Sequence, residues 1–350
     1  IIGPAITGMD VEDFRAVDRA MIELDGTPDK SRLGGNAIYS ASIAVARAAA
    51  AAAGKPLYQL IAGKPLSTVP VPTFNMVNGG VYDGYTQGFN EFIVVPYGAA
   101  DIQEAVALGV ELFNHLEGTI ARYTGHAAGV AKSYGYQAFS SDPAEVLGVM
   151  RQGMEEIGAA DKFCFALDCA SSEMYDKDSK TYLLKGERVT SSELVDYTAQ
   201  LARDFNFLFI EDLLDEDDWD GFVEAKRKIT TTNILGDDLI VTNRARLERA
   251  VELDAVDGFI LKPNQVGTLT EAFETYDYAR EHGLLACPSG RSGGVIDDVV
   301  MDLSVGLQVP FQKNGCPRSG ERIEKLNFLM RAAESAPNVT LNDLSKIAKF

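Results

Sequence analysis

Basic residues are scarce: 32 Lys and Arg stand against 51 Asp and Glu, a formal net charge of −19. Nucleic acid and anionic membrane both require a basic footprint, so neither is expected as a main partner. Cysteine is sparse as well. Cys164, Cys169, Cys287 and Cys316 are scattered, with no CxxC and no Cys/His metal spacing. That argues against a disulfide framework and places the chain in the cytoplasm or another reducing compartment. No apolar run approaches the roughly 18 residues of a membrane span. The acidic excess then reads as a solvated surface that aids solubility. At 350 residues and 46% hydrophobic content there is ample material for a large core. The chain opens on Ile1 rather than Met, which leaves room for an upstream piece.

The first stretch reads as helical. Val11, Phe14, Val17 and Met21 recur at helical spacing from Asp10 to Leu24, and an alanine-rich run covers Asn36 to Ala53. From about Ser67 the texture changes. Short apolar strands are expected at Val69–Phe74, Glu91–Val95, Phe163–Leu167, Phe207–Ile210, Ile234–Leu235, Gly258–Leu261, Gly283–Cys287 and Pro310–Gln312. Amphipathic helices such as Glu193–Phe205, Trp219–Ile229, Leu269–His282 and Glu321–Ala333 lie between most of them. This alternation predicts an α/β fold, a β/α barrel over residues 67–350 preceded by a helical segment over 1–66. Only a Gly-rich loop separates the first two strands, which is too short for a crossover, so that pair is expected to be antiparallel.

Three of the apolar runs end in an acid: Phe165-Ala-Leu-Asp168, Phe209-Ile-Glu211 and Ile234-Leu-Gly-Asp237. A fourth, Gly258-Phe-Ile-Leu-Lys262, ends in a lysine. In a β/α barrel these ends share one rim. Burying three carboxylates there is costly unless a cation offsets them. Hard oxygen ligands from rigid strands suit Mg2+ better than zinc, so Asp168, Glu211 and Asp237 are the candidate metal ligands. Lys262 is the candidate base for removing a proton α to a carboxylate, with its pKa expected to be lowered by a nearby metal and other cations. Lys313 would hold or polarise a substrate carboxylate, and Arg291 with Ser292 could hold a phosphate. Asp212 and Asp238 are expected to support loops or orient the ligands.

The chain resembles the enolase family, the phosphopyruvate hydratases, over nearly its whole length. The resemblance is carried by Lys30-Ser-Arg-Leu-Gly-Gly-Asn36, Asn75-Met-Val-Asn-Gly-Gly80, Leu167-Asp-Cys-Ala-Ser-Ser-Glu173, Gly236-Asp-Asp-Leu-Ile-Val-Thr-Asn243, Leu261-Lys-Pro-Asn-Gln-Val-Gly-Thr268 and Glu321-Arg-Ile-Glu-Lys-Leu-Asn327. It implies an enolase-type barrel whose first strand pair is antiparallel, behind a helical remnant of the N-terminal capping domain. It also implies Asp168, Glu211 and Asp237 as ligands of one magnesium, Lys262 as general base, and Lys313 at the substrate carboxylate. Arg291 and Ser292 match the phosphate contacts, and Glu91 matches the acid that supports the general-acid glutamate.

The departures are specific. The family's Gly-Asp-Glu-Gly-Gly loop corresponds to Ala131-Lys-Ser-Tyr-Gly135, which puts Ser133 where the acid belongs. Losing such a group typically removes about 10²–10⁴-fold in rate. Val81-Tyr82 replaces a Ser-His pair, and Gly290 stands where a histidine precedes the arginine and serine. Enolases also carry, upstream of this sequence's start, a sheet with a serine loop for a second magnesium and part of a dimer interface; both features are left open here. These losses lead to the expectation of a catalytically degenerate enolase-like protein, a structural or interaction component with a protein partner in a larger assembly. The alternative is an active phosphopyruvate hydratase, or a related Mg2+-dependent enzyme that abstracts an α-proton from a phosphorylated small carboxylate.

Overall fold

The computed structural model describes residues 1–350. Eight strands form the wall: β1 (Val71–Asn78), β2 (Glu91–Val95), β3 (Cys164–Asp168), β4 (Phe207–Glu211), β5 (Asn233–Gly236), β6 (Gly258–Leu261), β7 (Leu285–Pro288) and β8 (Phe311–Lys313). They are hydrogen-bonded in the order β7-β6-β5-β4-β3-β2-β1-β8. A parallel bridge between Ser289 and Lys313 joins the two ends, so the wall closes into a barrel. β2 runs antiparallel to both β1 and β3, as the short loop predicts. The remaining neighbours are parallel.

Two strands, β1 and β7, depart from the sequence reading by more than one residue at a boundary, each for a local reason. Val69 belongs to a separate short pairing of Thr68–Val69 with Thr340–Leu341, because Pro70 has no N–H to continue the ladder. β1 then runs on to Asn78 instead of stopping at Phe74. β7 begins at Leu285, not Gly283: Gly283 takes φ +71 and Leu284 N–H donates to Ala279 C=O, which closes the preceding helix. A three-stranded sheet of Tyr175–Asp176, Thr181–Leu184 and Glu187–Val189 follows β3 and has no counterpart in the sequence reading. Its second turn is Lys185-Gly186, both with positive φ, as a tight hairpin requires.

Inside the barrel, Val71, Ile93, Leu235, Ile260 and the stacked rings of Phe209 and Phe311, centroids 5.3 Å apart, fill the lower half. This packed plug leaves a site only at the rim. Residues 1–66 contain helices and no strand. The small side chains of Ala46 and Ala50 let the helix Gly35–Ala52 approach Leu269 and Phe273. Polar ties fix the docking: Asp18 Oδ2 accepts from Thr270 N–H at 3.0 Å and Oγ1 at 2.7 Å, and Lys30 Nζ lies 2.7 Å from Glu271 Oε1. No helix is long and apolar enough to cross a membrane.

Candidate active site

Parallel strands gather their C-terminal ends at one rim, and the reversed β2 brings its first residue there instead. The register pairs Glu91 with Asp168 and Asp168 with Glu211. Three carboxylates thus stand on adjacent strands about 4.8 Å apart, close enough to repel strongly. Lys313, arriving from β8, offsets them. Its Nζ lies 2.6 Å from Glu211 Oε2, 2.8 Å from Asp168 Oδ2 and 3.3 Å from Glu91 Oε2. Asn75 Nδ2 orients Glu91 by donating to Oε1 at 2.9 Å.

The second half of the rim comes from the loops after β5 and β6. Lys262 Nζ is hydrogen-bonded to Asp237 Oδ2, and Gln265 Nε2 donates to Asp237 Oδ1 at 2.8 Å. Thr242, in the left-handed region, accepts the backbone N–H of Lys262 at 2.8 Å and fixes where that side chain starts. Asp212 takes a left-handed φ of 45° just after Glu211, and its two oxygens each accept a backbone N–H at 2.8 Å, from Asp237 and Asp238. It therefore clamps the loop that presents Asp237. A cluster of Asp212, Asp237 and Asp238 lies within 4.8 Å, but its overlap with the predicted trio is Asp237 alone. Asp212's oxygens are already spent on backbone donors, which leaves it a supporting role.

Burial raises the carboxyl pKa values of Asp168 and Glu211, Glu211 well above the usual range, where the Asp168 charge adds to the effect. Burial would raise Asp237, but the charge and hydrogen bond of Lys262, joined by Lys313 and Gln265, together bring it below the ordinary value. Lys262 itself is raised: burial disfavours its charge, but Asp237 and Glu211 more than compensate. This direction reflects Lys262's direct partner, a carboxylate; the lowering expected from the sequence belongs to a site with a metal beside the lysine. Four carboxyl groups (Glu91, Asp168, Glu211, Asp237) face two ammonium groups, so the acids outnumber their cations by two. Glu211 Oε1 is buried with no hydrogen-bond partner. An orphaned carboxyl oxygen within a cluster of hard oxygen donors short of cations suits a divalent cation such as Mg2+.

Asp168, Asp237, Lys262 and Lys313 open onto one cavity of about 170 Å³, lined almost entirely by polar and charged groups. Glu91, Ser133, Arg291 and Ser292 line it as well, while Glu211 is fully buried beneath. Arg291 and Ser292 are exposed on their loop. Ser133 is buried, and Arg322 donates to its carbonyl at 2.6 Å and to its Oγ at 3.2 Å. Arg322 and Lys325 also line the cavity, and the sequence reading does not single them out. Their i, i+3 spacing on one helix was the available signal, because it puts both on the same face.

Two family models divide the chain. The enolase N-terminal domain matches residues 1–61, and the enolase C-terminal TIM barrel domain matches residues 66–344. An enolase of Methanopyrus kandleri is 41% identical, covering 100% of this chain and 81% of its own length. Enolases of Methanococcus aeolicus and Rubrobacter xylanophilus are 38% and 39% identical over 95% of this chain, and 79% and 78% of their own. With both domain models in order and this identity sustained from end to end, the chain belongs to the enolase family.

Proposed function

We propose that the chain is an active, Mg2+-dependent phosphopyruvate hydratase that interconverts 2-phosphoglycerate and phosphoenolpyruvate. The observation that carries this reading is the rim itself: Lys262 and Lys313 set among four carboxylates at one polar cavity, with Glu211 Oε1 left without a partner. A degenerate scaffold has no need to keep so costly a buried charge cluster assembled. The relatives, named enolase along nearly the full chain, also favour the catalytic alternative over the degenerate role.

In this reading Asp168, Glu211 and Asp237 hold the metal. Mg2+ supplies electrostatic stabilisation for the negative charge that develops on the substrate carboxylate when the α-proton leaves. Lys313 binds that carboxylate, and Arg291 with Ser292 binds the phosphate. Lys262 accepts the α-proton, which requires it first to lose its own. The electron pair of the broken C–H bond becomes the new C=C bond as the C3–OH bond breaks, and the departing hydroxide takes up a proton to leave as water. Ser133 cannot supply that proton as a tuned carboxylic acid would, so turnover is expected to be about 10²–10⁴-fold below that of an enzyme with the acid in place.

Ser133 favours a second reading, in which Lys262 abstracts and returns an α-proton without elimination. Ultraviolet absorbance of the enol phosphate, followed with full-length chain, Mg2+ and 2-phosphoglycerate, separates the two. Product formation that Lys262→Ala abolishes supports the hydratase. Exchange of the α-proton with deuterated water and no product supports the second reading. Neither signal would return the chain to a structural role.

A further inference from the structure

We infer that Lys325, admitted to the cavity by the bare position 290, binds the phosphate of the substrate. This rests on the phosphorylated-carboxylate reading above and adds to it a residue outside the sequence-predicted site. A Cβ at Gly290 would lie 2.8 Å from Lys325 Nζ and 2.9 Å from Asp298 Oδ2. The ammonium therefore occupies the space that any side chain at 290 would need. The enolase resemblance puts histidine at 290, and the absence of that ring here leaves the Lys325 ammonium open to the cavity.

The hydrogen-bond donors of Lys325 are not filled by its neighbours, although Asp298 also stands beside position 290. Lys325 and Arg322 are both 4% exposed and share one carboxylate, Glu321. Glu321 Oε1 accepts from Arg322 Nε at 2.9 Å, and Oε2 lies 3.3 Å from Lys325 Nζ, the one carboxylate within 4 Å of it. Arg322 is further committed to the carbonyl and hydroxyl of Ser133. Lys325 is thus the buried cation with N–H donors to spare, and it faces the cavity beside Gly290 and Arg291. A buried cation with unfilled donors at a cavity wall favours an anion there. Lys313, across the cavity, is engaged by three carboxylates, whereas Lys325 and Arg291 together match a dianionic phosphate.

The test is calorimetric titration of the full-length chain, with Mg2+, against inorganic phosphate and separately against glycerate, which lacks the phosphate. Lys325→Met is expected to weaken phosphate binding by about tenfold or more, the scale of a charged hydrogen bond, and to leave glycerate within about twofold. Lys325→Arg should retain phosphate binding to within about threefold. Gly290→Ala keeps every charge but crowds the ammonium, and should also weaken phosphate binding; it serves if Lys325→Met fails to fold. Phosphate affinity unchanged in both Lys325→Met and Gly290→Ala, an equal loss for glycerate, or no phosphate binding by the parent would overturn the inference. Lys325-dependent phosphate binding without phosphoenolpyruvate formation would sink the hydratase reading and leave this one standing. Normal turnover with Lys325-independent binding would do the reverse.

Discussion

Removing Lys313 should cost stability in a way that depends steeply on pH. Its ammonium is the close cation of Asp168, Glu211 and Glu91, and Glu211 is fully buried with one oxygen already unpartnered. In Lys313→Met a stem of similar volume remains and the charge is gone. The carboxylates cannot stay ionised together, so the cheapest escape is for one to take a proton on folding. The sign follows from linkage: with the lysine lost, the folded-state carboxyl pKa rises further above its unfolded value. The folded state then binds more protons, and stability falls as pH rises above the unfolded pKa. Protonating a glutamate of unfolded pKa about 4.3 costs roughly 1 kcal/mol at pH 5 and roughly 5 kcal/mol at pH 8. The upper figure agrees with the about 3–5 kcal/mol usual for breaking a buried ion pair. An unfolding entropy of about 2.1 cal/mol/K per residue gives roughly 0.7 kcal/mol/K for this chain, so Tm should drop by about 4–7 °C at pH 8 and by about 1–2 °C at pH 5. Differential scanning calorimetry with a chelator present measures both. Adding Mg2+ should recover part of the pH 8 loss by supplying the missing positive charge. Equal losses at the two pH values would refute the reasoning, because they would trace the effect to packing of the lysine stem.

Other perturbations test separate parts of the molecule. Mg2+ should raise the parent's Tm and Asp237→Ala should abolish the rise; a parent that shows no rise removes the metal from the mechanism. Asp212→Ala leaves the Asp237 and Asp238 amides without their acceptor and should weaken Mg2+ binding by about 10–100-fold in a calorimetric titration, with unchanged affinity counting against the clamp. Asp302 is buried beneath the N-terminal helices, which pushes its carboxyl pKa up to about 6, with Arg47 offsetting only part of the burial. Because the folded value is raised, this group favours folding at low pH, and about 2–3 kcal/mol is lost as pH climbs from about 4 through 6. Asp302→Asn keeps an oxygen for the Tyr58 N–H and should remove that slope from thermal unfolding curves recorded between pH 4 and 7; an unaltered slope assigns it to other groups. Gly109→Ala should gain up to about 1 kcal/mol of helix propensity, yet its Cβ would lie 2.4 Å from the Phe74 ring, and overpacking of about 1–3 kcal/mol should win. A higher denaturation midpoint than the parent's would mean that Phe74 yields easily.

The legible and illegible parts of the site divide by how far apart in the chain its physics operates. Asp168, Glu211, Asp237 and Lys262 each end an apolar run, so one short window per residue reveals a strand and the charge at its tip. Glu91 differs only in sign: it begins its run, and the loop before it is too short for a crossover, which already implies the reversal that returns it to the same rim. Which cation offsets which acid is another matter. Lys313 meets Asp168 and Glu211 because β8 closes against β1 and the barrel is narrow enough for its side chain to cross, a consequence of closure that no local window contains. The same holds for the direction of Lys262's pKa. It turns on whether its nearest charge is a carboxylate or a cation, and that depends on the left-handed turn at Asp212 delivering Asp237 to it. Ser133, where the enolase resemblance puts an acid, illustrates the point most sharply. Reading along the chain, Ser133 is a loss; in the folded protein it is held by Arg322 from a helix 189 residues later, on the same face as Lys325. The chemistry of this rim therefore has to be judged on Ser133 together with Arg322 and Lys325, rather than on the serine alone.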